Sequence, residues 1–180
     1  MSTSAELDRR LTPWRDEIGA DRDAYRNHVR RVLAFCDELH AISFRGPYTP
    51  VPSTTEEFLT AAAFHDIGIW SAGTFDYLPP SAELARQWLD AQGRSDLKTL
   101  VVDMISDHHK VRPAAAPASP VEMFRRADAI DVSFGLIRFG VPRAKYSAIA
   151  NELPDSGFHL RLAKLTARRH PTSPLPMFKW

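Results

Sequence analysis

Helical periodicity runs along almost all of this chain, and in three places the apolar stripe it produces carries a histidine. Tyr25, His28, Val29, Val32, Phe35, Cys36 and Leu39 fall on one face of a helix expected over about 21–39. Phe58, Ala61, Ala62 and His65 share the stripe of a second helix, with Asp66 directly after. Leu97, Leu100, Val101, Met104, Ile105 and His108 make the stripe of a third, and His109 follows at once. In a fourth, Asp128 borders the face of Met123, Phe124, Ala127, Ile130 and Phe134, with Asp131 as its neighbour one turn on. Alternating strand patterns are nearly absent. The expected fold is therefore all-α, a helical bundle that must carry imidazoles and carboxylates into its interior.

Burying such groups without partners is costly. For His65-Asp66 taken alone, two explanations stand side by side: a hydrogen-bonded core pair, or two ligands of a metal ion. His28 alone is accounted for by a bond to a carbonyl, and Asp131 alone by a solvated helix face. Taken together, the placements favour a cation. Coincidental burial of so many ionisable groups would destabilise a domain of this size, whereas convergence on an ion offsets the cost. With Gly68 as terminator, His65 and Asp66 lie in the last turn of their helix, about 100° apart around its axis, and can reach a common ion. Nitrogen and oxygen donors without thiolates suit manganese, iron, zinc and similar divalent ions rather than a structural cysteine zinc site.

The remaining pattern completes the bundle. Leu7, Leu11, Trp14 and Ile18 form a first helical element, with a helix start at Thr12-Pro13 and an end at Gly19. Residues 43–53 read as loop, and Thr54-Thr55-Glu56-Glu57 as a capping box in which Thr54 accepts from the first turn. A loop over 71–80 precedes a short helix from Ser81 through Leu84 and Trp88 to Gly93, and Ser95 opens the next. Ser119-Pro120-Val121-Glu122 is a second capping box. Two helices follow, about 143–153 and about 157–169, the last burying Phe158, Leu162 and Leu165 and turning His159 to solvent. Residues 170–180 read as an extended tail, with Met177, Phe178 and Trp180 available to the body or to a partner.

At 180 residues the expectation is one domain, 1–180, with its core over about 21–134. A formal charge of +1 gives no footprint for a nucleic-acid polymer or a membrane surface. The single cysteine, Cys36, cannot pair within the chain, no apolar run is long enough for a span, and the N-terminus lacks a signal peptide's basic-then-apolar layout, so a cytoplasmic protein is expected. A homo-oligomer is compatible with all of this.

The ordered pattern His28 … His65-Asp66 … Asp128, with Ala-Phe-His-Asp-Ile-Gly around the pair and Ala-Asp-Ala-Ile-Asp around the last residue, resembles the HD-domain superfamily of metal-dependent phosphohydrolases. The resemblance covers about 21–134. It implies an all-helical bundle in which His28, His65, Asp66 and Asp128 ligate one divalent metal, whether manganese, iron, zinc, cobalt, nickel or magnesium. Binuclear relatives hold a second metal through further histidines. Here His108-His109 match such a doublet, while the histidine those relatives place before it is missing and Trp88 occupies that region, so one metal is expected and His108 and His109 stand for a second metal or the substrate. The implied chemistry is hydrolysis of a small phosphorylated molecule, a nucleotide or phosphomonoester, by a metal-activated water. Lys110 and Arg112, ahead of Arg126 and Arg30, are the expected phosphate-binding cations, and His109 or Asp131 the proton carrier. The acidic or lysine residue that many relatives carry after the pair is replaced by Ile69 and Trp70. With Phe75 and Tyr77, these suit a less charged substrate, as in relatives that hydrate nitrile-like molecules or act as di-iron oxygenases. A non-catalytic binding or regulatory module is the remaining alternative.

Overall fold

The computed structural model describes residues 2–43, 50–73 and 76–167, with side chains as far as 164. Among these residues the chain forms helices and turns and no strand, the all-α bundle that the periodicity predicts. Helix α1 (Thr3–Leu11) is capped by Ser2, whose hydroxyl accepts from Ala5 N. A 3-10 turn containing Pro13 leads into α2 (Arg15–Ile18), which ends at Gly19, where φ is 55°. There follow α3 (Arg22–Ser43), α4 (Glu56–Phe64), α5 (Gly68–Ser71), α6 (Leu78–Ala91), α7 (Lys98–Asp107), α8 (Pro120–Val132), α9 (Arg143–Glu152) and α10 (Phe158–Ala167). No described helix is long and apolar enough to cross a membrane.

Helix α3 is the spine of the bundle: α8 packs along it most extensively, and α4, α9 and α10 also lie against it. Its predicted face, Tyr25 through Leu39, is buried as a whole, Cys36 included. Helix α4 is buried on every side from Phe58 to Phe64, as expected of a helix apolar all round, and is enclosed by α1, α3, α6 and α7. Burying one large apolar side chain stabilises by about 1.5–3 kcal/mol, against about 0.7 kcal/mol separating ordinary residues in helix propensity. Packing therefore decides where these helices lie. The result brings the C-terminal ends of α4 and α7 to the middle of α3 and of α8.

Several local expectations fail for identifiable reasons. Thr54 and Thr55 do not cap α4, because a 3-10 turn over Pro52–Thr54 turns their hydroxyls back onto Val51 O (2.7 Å) and Pro52 O (3.2 Å). Glu56 is engaged by Arg10 and Thr60. Helix α6 begins at Leu78, ahead of Ser81, because prolines in a first turn forfeit amides that have no partner there. Ser81 instead accepts from Gly68 N at 2.9 Å. Ser119 caps α8 as expected, accepting from Glu122 N at 3.2 Å, but the Glu122 carboxylate takes Ala114 N, Arg125 and Arg126. Phe134 lies beyond α8 at φ 53° and is 59% exposed, outside the core stripe. Leu165 and the tail over 170–180 fall outside the described side chains.

Gly68 does not terminate α4; it opens α5, and its lack of a side chain lets α6 press against the turn after His65-Asp66. A Cβ there would collide with the Tyr77 carbonyl oxygen and come within 2.9 Å of Ser81 Oγ. Gly68→Ala is expected to lower stability by about 1–3 kcal/mol, the usual cost of overpacking, read as an earlier midpoint in urea denaturation. An unchanged midpoint would contradict this packing.

Candidate metal centre

Two of the histidines reach the centre by the same local device. His65 and His108 are the residues that close α4 and α7, where carbonyls of a last turn lack amide partners. Each ring donates Nδ1–H to the carbonyl three residues back, His65 to Ala62 O at 2.8 Å and His108 to Ile105 O at 2.6 Å. A carbonyl only accepts, so Nδ1 carries the hydrogen and the Nε2 lone pair points inward. His28 lies in the middle of α3, where the helix uses its own carbonyls, and a side chain does the same work. Its Nδ1 donates to Asp131 Oδ2 at 2.7 Å. Arg31, beside it on α3, clamps both oxygens of Asp131 at 2.5 and 2.8 Å. Burial alone would raise Asp131, but His28 and Arg31 hold it down at about 2. The fourth ring, His109, is hydrogen-bonded through Nε2 to the Tyr77 hydroxyl.

The inward atoms face one another. His28 Nε2 and His65 Nε2 are 2.8 Å apart, and burial depresses the His65 pKa to about 3. Asp66 Oδ2 lies 3.7 and 3.6 Å from these nitrogens, and Asp128 Oδ1 3.6 and 3.8 Å. The other oxygens of the same carboxylates turn toward the doublet. Asp66 Oδ1 is 3.4 Å from His108 Nε2 and 4.0 Å from His109 Nε2, and Asp128 Oδ2 is 3.7 Å from His109 Nδ1. Three overlapping groups thus each bring donor atoms within 4.8 Å: His28, His65 and Asp128; His65, Asp66 and His108; His108, His109 and Asp128.

This arrangement fits a divalent cation. Asp66 Oδ1, His108 Nε2 and Asp128 Oδ1 are buried without a hydrogen-bond partner among the described residues. Each such atom costs about 1–3 kcal/mol, more when charged, and an ion among them offsets that cost. Donors bound to one ion at about 2.0–2.2 Å stand about 3–3.5 Å apart, close to the spacing here. Burial would raise Asp66, yet the His65, His108 and His109 imidazoles hold it well below the usual carboxylate range. Burial, with the charges of Asp66 and Asp131, pushes Asp128 up. Although burial opposes it, Asp66 and Asp128 raise His108. The carboxylates thus draw positive charge to the same point that the lone pairs do.

The walls divide into a dry side and an open one. Phe158, at the start of α10, stacks on His28 at 3.8 Å, and Phe124 meets His65 edge-on at 5.5 Å. The side chains of His28, His65 and His108 are fully buried, while that of His109 is 13% exposed. It borders a cavity of about 260 Å³ that reaches the centre along His108, His109 and Asp128, between walls that include Val111, Val132 and Ile137.

The structure brings His28, His65, Asp66, Asp128, His108 and His109 together. Asp131 is buried on the far side of the His28 ring, away from the inward atoms, and is not a solvated acid. Lys110 lines the cavity but pairs with Asp107 at 3.0 Å, and Arg112 is exposed. Trp88 takes no part: it packs against Phe64 beneath Arg9. Trp70 bonds to Asp21 and packs on Tyr25, Ile69 and Tyr77 are buried beside Leu78, and Phe75 is outside the described residues. The apolar wall of the cavity comes instead from α8 and the segment after it. His159 is not solvated; it bonds to Asp155 and to Asp131 O and stacks on Phe134. Arg31, Tyr77 and Phe158 are additional. Arg31 stands three residues after His28, as Asp131 does after Asp128, a spacing compatible with the clamp but equally with a solvated face, whereas Tyr77 and Phe158 carry no local signal.

No family model matches this chain, and comparison with curated proteins and with solved structures likewise finds no match. The donor set itself generates a direct expectation. Manganese or zinc should raise the melting temperature of the wild-type chain and excess chelator should lower it, while Asp66→Ala, which deletes an oxygen from both sides of the centre, should respond to neither. Equal responses in the two proteins would remove Asp66 from the site.

Proposed function

We propose that this chain is a metal-dependent hydrolase of a small phosphorylated molecule, with nucleotides and phosphomonoesters as its substrate class. The observation that carries the reading is the set of imidazoles, each tied through its outer nitrogen and presenting the other to the carboxylate of Asp66, of Asp128 or of both. The order His28 … His65-Asp66 … Asp128, which resembles the HD-domain superfamily, supports the choice of phosphoester chemistry. Bound here, a divalent ion lowers the pKa of a coordinated water and polarises a phosphoryl oxygen. His28, His65, Asp66 and Asp128 form the inner set of ligands. His108 and His109, with the second oxygens of Asp66 and Asp128, form an outer set that borders the cavity and would hold a second ion.

The other residues support these. Asp131, held by Arg31, fixes the His28 ring and its tautomer, so it is a positioning residue rather than a proton carrier. Phe158 and Phe124 exclude water from the inner set, and among the described residues the cavity reaches the centre on the His109 side. Lys110 stands at that entrance. Its pairing with Asp107 is half-exposed, worth about 0–1 kcal/mol, and so can be exchanged for a phosphate at little cost. Arg125 is committed: Glu122 and the Lys110 carbonyl occupy its guanidinium.

One observation favours a second reading with the same centre. The cavity wall is largely apolar, through Val111, Ala129, Val132, Ile137 and Phe139, and its one buried cation is already neutralised. A small, weakly charged substrate suits that wall, as in hydration of a nitrile-like molecule or an oxygen-dependent di-iron reaction.

The purified chain should release phosphate from at least one member of a panel of nucleotides and phosphomonoesters supplied with manganese, cobalt, nickel or magnesium, and Asp66→Ala should not. Absence of turnover across the whole panel would overturn the phosphohydrolase reading. Hydration of cyanamide by the zinc-loaded chain, or oxygen uptake by the iron-loaded one, would establish the second.

A further inference from the structure

Of the four imidazoles at the centre, His109 alone is held by a residue from a distant loop. His28, His65 and His108 are fixed by their own helix or by α8. His109 Nε2 meets the hydroxyl of Tyr77, which is only 5% exposed and precedes α6. The phenol is delivered there by the clamp at Gly68. The turn after His65-Asp66 has no side chain where the Tyr77 carbonyl passes, and Ser81, one turn into α6, accepts from Gly68 N. The two segments are thereby locked face to face. A phenol oxygen can accept as well as donate, so it can take Nε2–H of His109 and leave Nδ1, 3.7 Å from Asp128 Oδ2, as the acceptor.

We propose that Tyr77 is a positioning residue of the outer ligand set: by accepting Nε2–H of His109 it fixes that ring with the Nδ1 lone pair facing Asp128, and so makes His109 a metal ligand. The assignment rests on the two-set reading of the centre given above. It gives His109 what the other three rings already have, an outer nitrogen that donates and an inner one that accepts. It also explains how adjacent residues on one chain serve one centre through different atoms. His108 presents Nε2 and His109 presents Nδ1, each 3.4–3.7 Å from a different carboxylate. Without the phenol, Nε2 of the His109 ring, which borders the cavity, has no hydrogen-bond partner among the described residues.

Titration calorimetry with manganese on the wild type, Tyr77→Phe and His109→Gln tests this, with circular dichroism to verify that each variant is folded. The wild type should take up two ions per chain. Tyr77→Phe should keep the first with unchanged affinity and bind the second about 10–100-fold more weakly, the usual effect of removing an outer partner of a ligating histidine, and His109→Gln should lose the second altogether. Nitrogen-15 spectra of the zinc-loaded chains supply a readout that a packing role would not move: His109 protonated at Nε2 in the wild type and a mixture of tautomers in Tyr77→Phe. Two ions bound equally well by Tyr77→Phe would overturn the role of Tyr77. A wild type that binds a single ion would overturn the outer set and this role with it. Two ions, a weakened second site in Tyr77→Phe and no phosphatase activity would leave Tyr77 in place and reject only the phosphohydrolase reading.

Discussion

His28 Nε2 and His65 Nε2 face each other across 2.8 Å in a fully buried setting, and each ring has already spent its hydrogen on the opposite side. Two lone pairs that close repel, and two buried carboxylates beside them add to the repulsion. Such an arrangement holds only if the surrounding packing enforces it or a cation relieves it. The packing is substantial: Phe158 is stacked on one ring and Phe124 is set against the other. The bundle thus maintains a cluster of acceptors at a cost that a bound cation would offset.

The fold solves the orientation problem with two economical devices. At a helix C-terminus the last carbonyls need donors, and an imidazole placed there is fixed without help from elsewhere; α4 and α7 each end on such a histidine. Inside a helix no carbonyl is spare, so His28 requires Asp131 from α8, and Asp131 requires Arg31 to remain ionised when buried. Arg31 also bonds to Leu153 O and Pro154 O, which ties the segment after α9 into the same network. This network lies in the interface between α3 and α8, the most extensive helix pairing among the described residues. The contact that builds the core is also the contact that aims two of the ligands.

Much of this was legible in the residues alone, and the omissions share a cause. The stripes through His28, His65 and His108 follow from a 3.6-residue period, so their burial and convergence could be read directly. Asp128 was legible because it borders such a stripe. Asp131 was not: its spacing fits a solvated face equally well, and only the placement of His28 opposite, with Arg31 beside it, makes it a buried partner. Caps misled where other contacts outbid them: a local 3-10 turn takes the Thr54 hydroxyl, and a distant amide, Gly68 N, takes that of Ser81. Tyr77 lies in a segment without periodicity, and its contact with His109 spans a separation that no pattern encodes. His159 was misplaced for the same reason, since its partner Asp131 O belongs to another helix.

The account stands on the claim that the inward acceptors exist to hold divalent cation. Elemental analysis of protein purified without chelators tests that claim most directly. At least one divalent transition-metal ion per chain is expected, removed only by a strong chelator and absent from Asp66→Ala purified in the same way. A folded wild-type chain that carries no such ion, and takes none up when manganese, iron, zinc or cobalt is supplied, would contradict it.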